Sequence, residues 1–414
     1  EALVRLGAEH SVPTAQVAPL VEHRDPAVRL AAVGMLGAQG TDAAAEALGG
    51  ALDDSARSVR GAGAEALGRL GDRGVEAARP QLEARGLWTV DSALAAIGAA
   101  GTPRARAALS VELRRRVRDA WTHELAGAAL ATAAADVPHR FLRTAHASAG
   151  ARALRLSFRI LELLEGPIVV RSVQRTLRLG RPRARADALE VLSNLGDRSA
   201  AGLLALLHES GPLEDRIRGV PLVPARPHSA ADVVEAGRGA ADPWIRVAAA
   251  AAAAADEGEH GTMERLLALR EVPIFARLRL DQLESIHRAM RDETYVRGEL
   301  IVREGEPGHE LYLLLEGEVE VWAGWGGPNP KLLNRLSAVS SFGEMAVLDD
   351  ETRTATIVVA KDARVASLAG DRLKDLVFTM PEIAFEIFRE IIARVRRAER
   401  RLAGGEPAAD AADV

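Results

Sequence analysis

Apolar residues along the first two-thirds of the chain recur at helical spacing. Asp25-Pro26-Ala27-Val28-Arg29 leads into Ala32, Val33 and Leu36. Val59-Arg60 leads into Ala64 and Leu67, Arg185 into Ala188, Leu189 and Leu192, and Asp242-Pro243-Trp244-Ile245-Arg246 into Ala249 and Ala250. Steps of three and four place such side chains on one helix face. Asp caps a helix, and Pro at the first helical position forfeits no hydrogen bond. Gly71-Asp72 and Gly196-Asp197 mark turns into a following helix. Arginines 29 and 60 lie 31 residues apart, 60 and 185 lie 125 apart, near four such periods, and 185 and 246 lie 61 apart, near two. A helical hairpin of this length cannot bury its own apolar face, so hairpins stack. The expectation for residues 1–258 is an all-α solenoid whose repeat fades between 100 and 180, with an irregular helical bundle as the alternative.

The pattern changes near 259–275. A helix is expected over Thr262–Leu278 and an amphipathic one over Leu280–Met290. Short strands follow at Tyr295–Arg297, Leu300–Arg303, Leu311–Leu315, Glu318–Trp322, Thr354–Ala360 and Ala363–Leu368. The turns between them are Glu304–Gly308, Glu316-Gly317 and Gly324–Pro330. Helices close the region at Asp371–Phe378 and Glu382–Leu402. Antiparallel strands at this spacing suggest a small β jelly-roll barrel with flanking helices. The aromatic count makes the same division, with five Phe, Trp or Tyr before residue 270 and nine after it. The chain thus reads as multidomain, with helical repeats over 1–258, a barrel with its helices over 259–402, and a small, acidic, disordered tail over 403–414. Phe388, Ile391, Val395, Ala398 and Leu402 form an apolar seam that either joins a homodimer or packs on the barrel.

Composition narrows the classes. The 414 residues are 48% apolar and 27% charged with net charge −5, a soluble balance that does not suggest nucleic-acid binding. The absence of cysteine excludes disulfides, thiolate zinc sites and a thiol nucleophile. The longest apolar run, Val247–Ala255, is far short of the roughly 20 residues of a membrane span. No initiator Met or signal pattern opens the sequence, which starts inside a helical pattern as a piece of a longer protein would. The runs Arg114–Arg116 and Arg181–Arg185 read as solvated helix faces. His139 and His146 read as surface histidines, and no metal site is expected. No phosphate-loop, nucleophile-elbow or zinc-protease motif is present, so no enzyme is expected. The nearest fragment, His123-Glu124, lacks its second His.

The helical units resemble HEAT-type repeats. Further on, the run from Phe342-Gly343-Glu344-Met345-Ala346 to Arg353-Thr354-Ala355-Thr356, with Glu304–Val321 before it, resembles the cyclic nucleotide-binding domain family over about 130 residues. The resemblance implies a regulatory cyclic nucleotide and no cofactor; Thr354 does not settle the base, since members binding either nucleotide have Thr or Ser there, and the expectation is cAMP over cGMP. The residue chemistry suits a cyclic phosphate beside a ribose. Gly343 lets the backbone approach closely. Met345 and Ala346 begin a short helix whose amides can donate to the phosphate. Arg353 brings a planar donor fork to the exocyclic oxygens. Glu344 accepts from the 2′-hydroxyl or pairs with Arg353, and Thr354 donates to phosphate or purine. The pattern departs from the family at His309, at the acidic run Asp349–Glu351, and at Thr352 where proline is frequent.

DNA regulators of the catabolite-activator type carry a helix-turn-helix after the last helix. Only twelve residues follow here, so that class is not expected. Neither the inhibitor sequence nor the paired binding domains of a kinase regulatory subunit is seen. The joint from Asp242–Arg246 through Met263–Arg265 to Val272–Phe275 is similar to the cytoplasmic half of bacterial ATP/ADP-translocase-like transporters. That resemblance implies a cytoplasmic sensor tethered to the membrane by a preceding transporter domain, or acting on a protein partner through the solenoid. Occupancy is then expected to be relayed through residues 259–278. The alternative is an interaction scaffold whose barrel no longer binds nucleotide.

Overall fold

The computed structural model describes residues 12–218, 220, 227, 229–254, 261–272, 275, 276, 278–343, 352–379, 383–385, 388, 389, 392 and 396. The chain divides into two compact units, Glu1–Thr132 with Ala149–Val233, and Ala133–Ser148 with Val234–Val414.

The first unit is helical. A single turn, α1 (Thr14–Val17), precedes α2 (Pro26–Gln39), α3 (Asp42–Ala51), α4 (Arg57–Arg69), α5 (Asp72–Ala78) and α6 (Leu87–Ala100). Asp25 caps α2, its carboxylate accepting from the Ala27 amide at 2.8 Å, and Gly40 ends it in the left-handed region. Helices α2, α4 and α6 pack side by side in one layer, with α3 and α5 behind them. Their approach depends on small residues: a Cβ on Gly68 of α4 would lie 2.5 Å from that of Ala99 in α6. Val33, Leu36, Leu48, Leu67, Leu94 and Ile97 are buried between the layers, the stacked core that the period predicts.

Three of the four repeat arginines have a common task. Arg29 donates to the carbonyl of His23 at 2.8 Å and Arg60 to that of Asp54 at 2.6 Å. In the second unit Arg246 donates to that of Ala240 at 2.8 Å. Each reaches six residues back and ties down the turn that starts its own helix.

Where the repeat fades, two long helices replace hairpins: α7 (Pro103–Leu130) and α8 (Val137–Glu165), of 28 and 29 residues. Then come α9 (Pro167–Leu179), α10 (Pro182–Ser193), α11 (Arg198–His208) and α12 (Leu213–Ile217). The arginines at 114–116 are not a uniformly solvated face. Arg114 pairs with Asp197 and Arg115 with Glu83, while half-buried Arg116 pairs with Glu112 at 2.6 Å and donates to the Leu82 carbonyl at 2.7 Å. His146 is likewise buried rather than superficial.

In the second unit, the first turns of α8 accompany the second half of α13 (Ala230–Arg238), α14 (Pro243–Ala254), α15 (Gly261–Glu271) and α16 (Leu280–Ala289). Phe141 meets Trp244 edge-on with centroids 5.6 Å apart, and Arg270 donates to the Ser148 hydroxyl at 2.9 Å. The sheet contains β1 (Arg291–Tyr295), β2 (Leu300–Val302), β3 (Glu310–Ala323), β4 (Lys331–Ser337), β5 (Ser340–Phe342) and β6 (Thr356–Ala369), followed by α17 (Gly370–Thr379). It is antiparallel, ordered β1-β6-β3-β4, with β2 also on β6 and β5 on β3.

The sheet differs from expectation at β1, which ends rather than begins at Tyr295, at β4 and β5, which no expected strand covers, and most instructively in its two long strands. The strands expected at 311–315 and 318–322 are one 14-residue strand, as are those at 354–360 and 363–368. Glu316-Gly317 is a bulge rather than a turn. The register shifts on both sides of Glu316, and Gly317 has φ +92°. A Cβ there would lie 2.3 Å from the Asp362 carbonyl, so glycine permits the two long strands to stay paired. Tyr312, Leu314, Val319, Phe342, Ile357 and Val365 form the core of the sheet.

Candidate functional site

Three segments build the site. Gly343 follows β5, Glu306–Glu310 leads into β3, and Arg353 precedes β6. A short ladder fixes their register. The Arg353 amide donates to the Glu306 carbonyl at 2.8 Å, the Gly305 amide donates to the Arg353 carbonyl at 2.8 Å, and Pro307 bridges Thr352.

The ladder aims the Arg353 side chain inward. Its Nη1 donates to the Gly343 carbonyl at 3.1 Å and its Nη2 to the Glu310 carbonyl at 2.9 Å. The guanidinium lies 5.5 Å from the centre of the Tyr312 ring, which stacks on Phe342 at 5.2 Å. Arg353 is only 6% exposed, yet among the described residues no carboxylate pairs with it. Two glycines make room. A Cβ on Gly343 would meet Nη1 at 2.6 Å and the Glu310 carbonyl at 2.9 Å, and its φ is +84°. A Cβ on Gly308 would lie 2.0 Å from Nε.

A cavity of about 740 Å³ opens beside the guanidinium, walled by Val302, Glu306, His309, Tyr312, Arg353 and Asp371 among others. Burial, then the 2.6 Å hydrogen bond to the Glu310 carboxylate, push the Tyr312 phenol well above its ordinary pKa, and Arg353 only partly opposes this. The phenol therefore stays a donor to Glu310 at neutral pH. On the far strand the Tyr295 phenol is raised in the same way, by burial and by its bond to Glu293. The cavity thus sets one fixed cation, Arg353, beside the carboxylates of Glu306, Glu310 and Asp371, so an anionic group is directed to the guanidinium and a ligand hydroxyl can donate to a carboxylate.

Of the residues singled out in the sequence, Gly343 and Arg353 come together. Thr354 follows on the chain, is exposed, and is not among the residues that wall the cavity. Glu344, Met345 and Ala346, with the acidic run Asp349–Glu351, lie outside the described residues. So does most of the last helix, Glu382–Leu402, where Phe385, Phe388 and Ile392 are exposed. Sequence reasoning missed Gly308, Glu310 and Tyr312. Gly308 looked like an ordinary turn residue, and nothing local signals that a guanidinium passes over it. Among the described residues no cluster of three metal-binding side chains occurs, and no helix is long and apolar enough to cross a membrane.

Comparison with known proteins agrees with this geometry. The family model of the cyclic nucleotide-binding domain matches residues 292–380, and that of HEAT repeats matches residues 14–89. The chain therefore carries HEAT repeats followed by a cyclic nucleotide-binding domain. A cAMP-dependent protein kinase regulatory subunit of Colletotrichum orbiculare is 38% identical over 109 residues, 26% of this chain and 27% of that protein. A CRP-like cAMP-activated global transcriptional regulator of Mycobacterium tuberculosis is 26% identical over 141 residues, 34% of this chain and 62% of that one. A cyclic nucleotide-gated potassium channel of Mesorhizobium japonicum is 38% identical over 127 residues, 31% of this chain and 34% of that one. The matches thus span between about a quarter and three-fifths of these relatives' own lengths. Among solved structures, the Thermus thermophilus catabolite activator protein aligns with TM-score 0.30 and 26% identity, over 32% of this chain and 62% of that one.

Proposed function

We propose that this protein is a cyclic nucleotide sensor that favours cAMP over cGMP and passes its occupancy to the helical repeats. The observation that carries the reading is Arg353. It is buried at the wall of a nucleotide-sized cavity, held by carbonyls alone among the described residues, and so keeps a positive charge for a ligand. An incoming cyclic phosphate exchanges two neutral acceptors for charged ones. Gly343, with Met345 and Ala346 after it, offers backbone donors to that phosphate, while Glu344 takes the ribose hydroxyl and Thr354 the phosphate or base. The ligand is held without being transformed, so the protein is a regulator rather than an enzyme.

The relay runs through α15. That helix joins the first turns of α8 through Arg270–Ser148 and through Arg140–Glu271 at 3.1 Å, and α8 continues into the first unit. The receiver is a transporter domain in the same polypeptide at the inner face of the membrane, or a separate protein partner, with a homodimer through the last helix as the assembled form. The scaffold reading keeps one supporting observation, namely that Arg353 already has two acceptors.

Calorimetric titration of the full chain with cAMP, cGMP and 5′-AMP tests the reading. Both cyclic nucleotides should release heat, cAMP at the lower concentration, and 5′-AMP should bind far more weakly. At a hundredfold excess over its dissociation constant, the nucleotide should stabilise the domain by ~2.7 kcal/mol. No heat and no thermal shift with either cyclic nucleotide would leave the scaffold reading in its place.

A further inference from the structure

Between Gly166 and Ala186 the chain carries six arginines and no acidic residue, although its net charge is −5. In α9 the apolar side chains fall into two main sets, with partly exposed Val169 between them. Val170, Val173 and Leu177 are buried against the rest of the unit. Ile168 and Leu179 point the other way, 85% and 80% exposed. At 3.6 residues per turn Ile168, Ser172, Arg175 and Leu179 fall in line, with Arg171 and Arg178 flanking them, all within an arc of about 120° and a length of about 16 Å. Arg181 and Arg183, both exposed, extend the arc around the corner into α10.

Arg171 is paired with Glu162 at 2.9 Å. Among the described residues, Arg175, Arg178, Arg181 and Arg183 make no ion pair, in contrast to Arg114, Arg115 and Arg116 on α7. Four guanidiniums with no ion pair among the described residues thus lie beside two projecting aliphatic side chains on one exposed helix face. A folded acidic partner would need a complementary groove for Ile168 and Leu179. Duplex nucleic acid would match the arginines but leave those side chains in water. A bilayer satisfies both, because phosphates at the headgroup level meet the guanidiniums while aliphatic side chains enter the acyl boundary.

We infer that the face formed by α9 and the start of α10 docks on an anionic lipid surface. The inference is independent of nucleotide binding and is tested without nucleotide. The full chain is mixed with vesicles of phosphatidylglycerol and phosphatidylcholine, with vesicles of phosphatidylcholine alone, and with duplex DNA, and bound protein is recovered by flotation or gel shift. Binding should occur on the anionic vesicles, fall with added salt, and drop at least about tenfold in Arg175→Glu/Arg178→Glu. Ile168→Ser/Leu179→Ser should weaken it several-fold at unchanged charge. All four positions are exposed, and unchanged melting curves confirm the fold; Arg175→Gln/Arg178→Gln serves if the reversal unfolds the chain. The inference is overturned by no binding to anionic vesicles, by binding that neither double variant alters, or by arginine-dependent binding to DNA alone.

Discussion

Arg29 in the helical repeats and Arg353 beside the sheet serve a similar local purpose with opposite electrostatic results. Both are largely withdrawn from solvent, and both donate to carbonyls of a preceding turn or strand. Arg29 also meets Asp54 through two parallel bonds, Nε to Oδ2 at 2.6 Å and Nη2 to Oδ1 at 2.8 Å. Burial disfavours the Asp54 carboxylate, but the Arg29 fork and the Ala56 amide outweigh it and hold the group below its usual range. Arg353 has no such acid among the described residues. Among the described residues the charge of Arg29 is cancelled by Asp54, whereas that of Arg353 at the cavity wall meets only carbonyl acceptors. A buried ion pair is complete in itself, while an uncompensated buried charge gains most from a ligand of the opposite sign.

Removing the uncompensated charge should have the largest effect. Arg353→Ala should weaken cyclic nucleotide binding by at least about a hundredfold in a titration, since two charge-assisted bonds of ~1.5–3 kcal/mol each are lost. Arg353→Lys, which keeps the charge but not the fork, should recover part of the affinity. Wild-type affinity in the alanine variant would place the phosphate elsewhere and break the contrast. Displacing the guanidinium without deleting it should matter somewhat less. In Gly308→Ala the new methyl would sit 2.0 Å from Nε, so the side chain must swing away. We expect an affinity loss of about tenfold or more, given the ~1–3 kcal/mol cost of forcing an extra carbon into a packed site. An unchanged affinity would mean that the position of Arg353 is not set by this seat.

The smallest effect on ligand binding, none, is expected from Arg29→Met. This change should lower the melting temperature of the helical repeats and leave nucleotide affinity untouched. Its pH dependence sharpens the comparison. The folded Asp54 pKa lies below its unfolded value, so the pair stabilises fully above about pH 4 and is lost as pH falls through the lowered folded value. The difference in melting temperature between wild type and variant should therefore shrink only below about pH 4. A difference that is constant through that range would show that Arg29 acts through the His23 carbonyl alone.

Period, caps and turn residues made the stacked helices legible from sequence because those signals are local. Asp25 before Pro26, glycine after the last apolar position and a step of 31 residues each act within one hairpin. Within the segment Gly343 to Thr354 the contact between Gly343 and Arg353 was legible because the two lie ten residues apart on the chain, whereas Thr354 lies off the cavity wall. Other features were decided only in three dimensions. Whether Glu316-Gly317 turned the chain or merely bulged it depended on Asp362, which lies 45 residues away in sequence but next to it in the sheet. Gly308 became a site residue because the ladder between Glu306 and Arg353 brings a guanidinium over it. The pairing of Arg114 with Asp197 likewise turned a run of basic residues into a set of closed ion pairs. Periodicity reports what one element must bury, but the cancellation or survival of a charge is set by neighbours that arrive from distant parts of the chain.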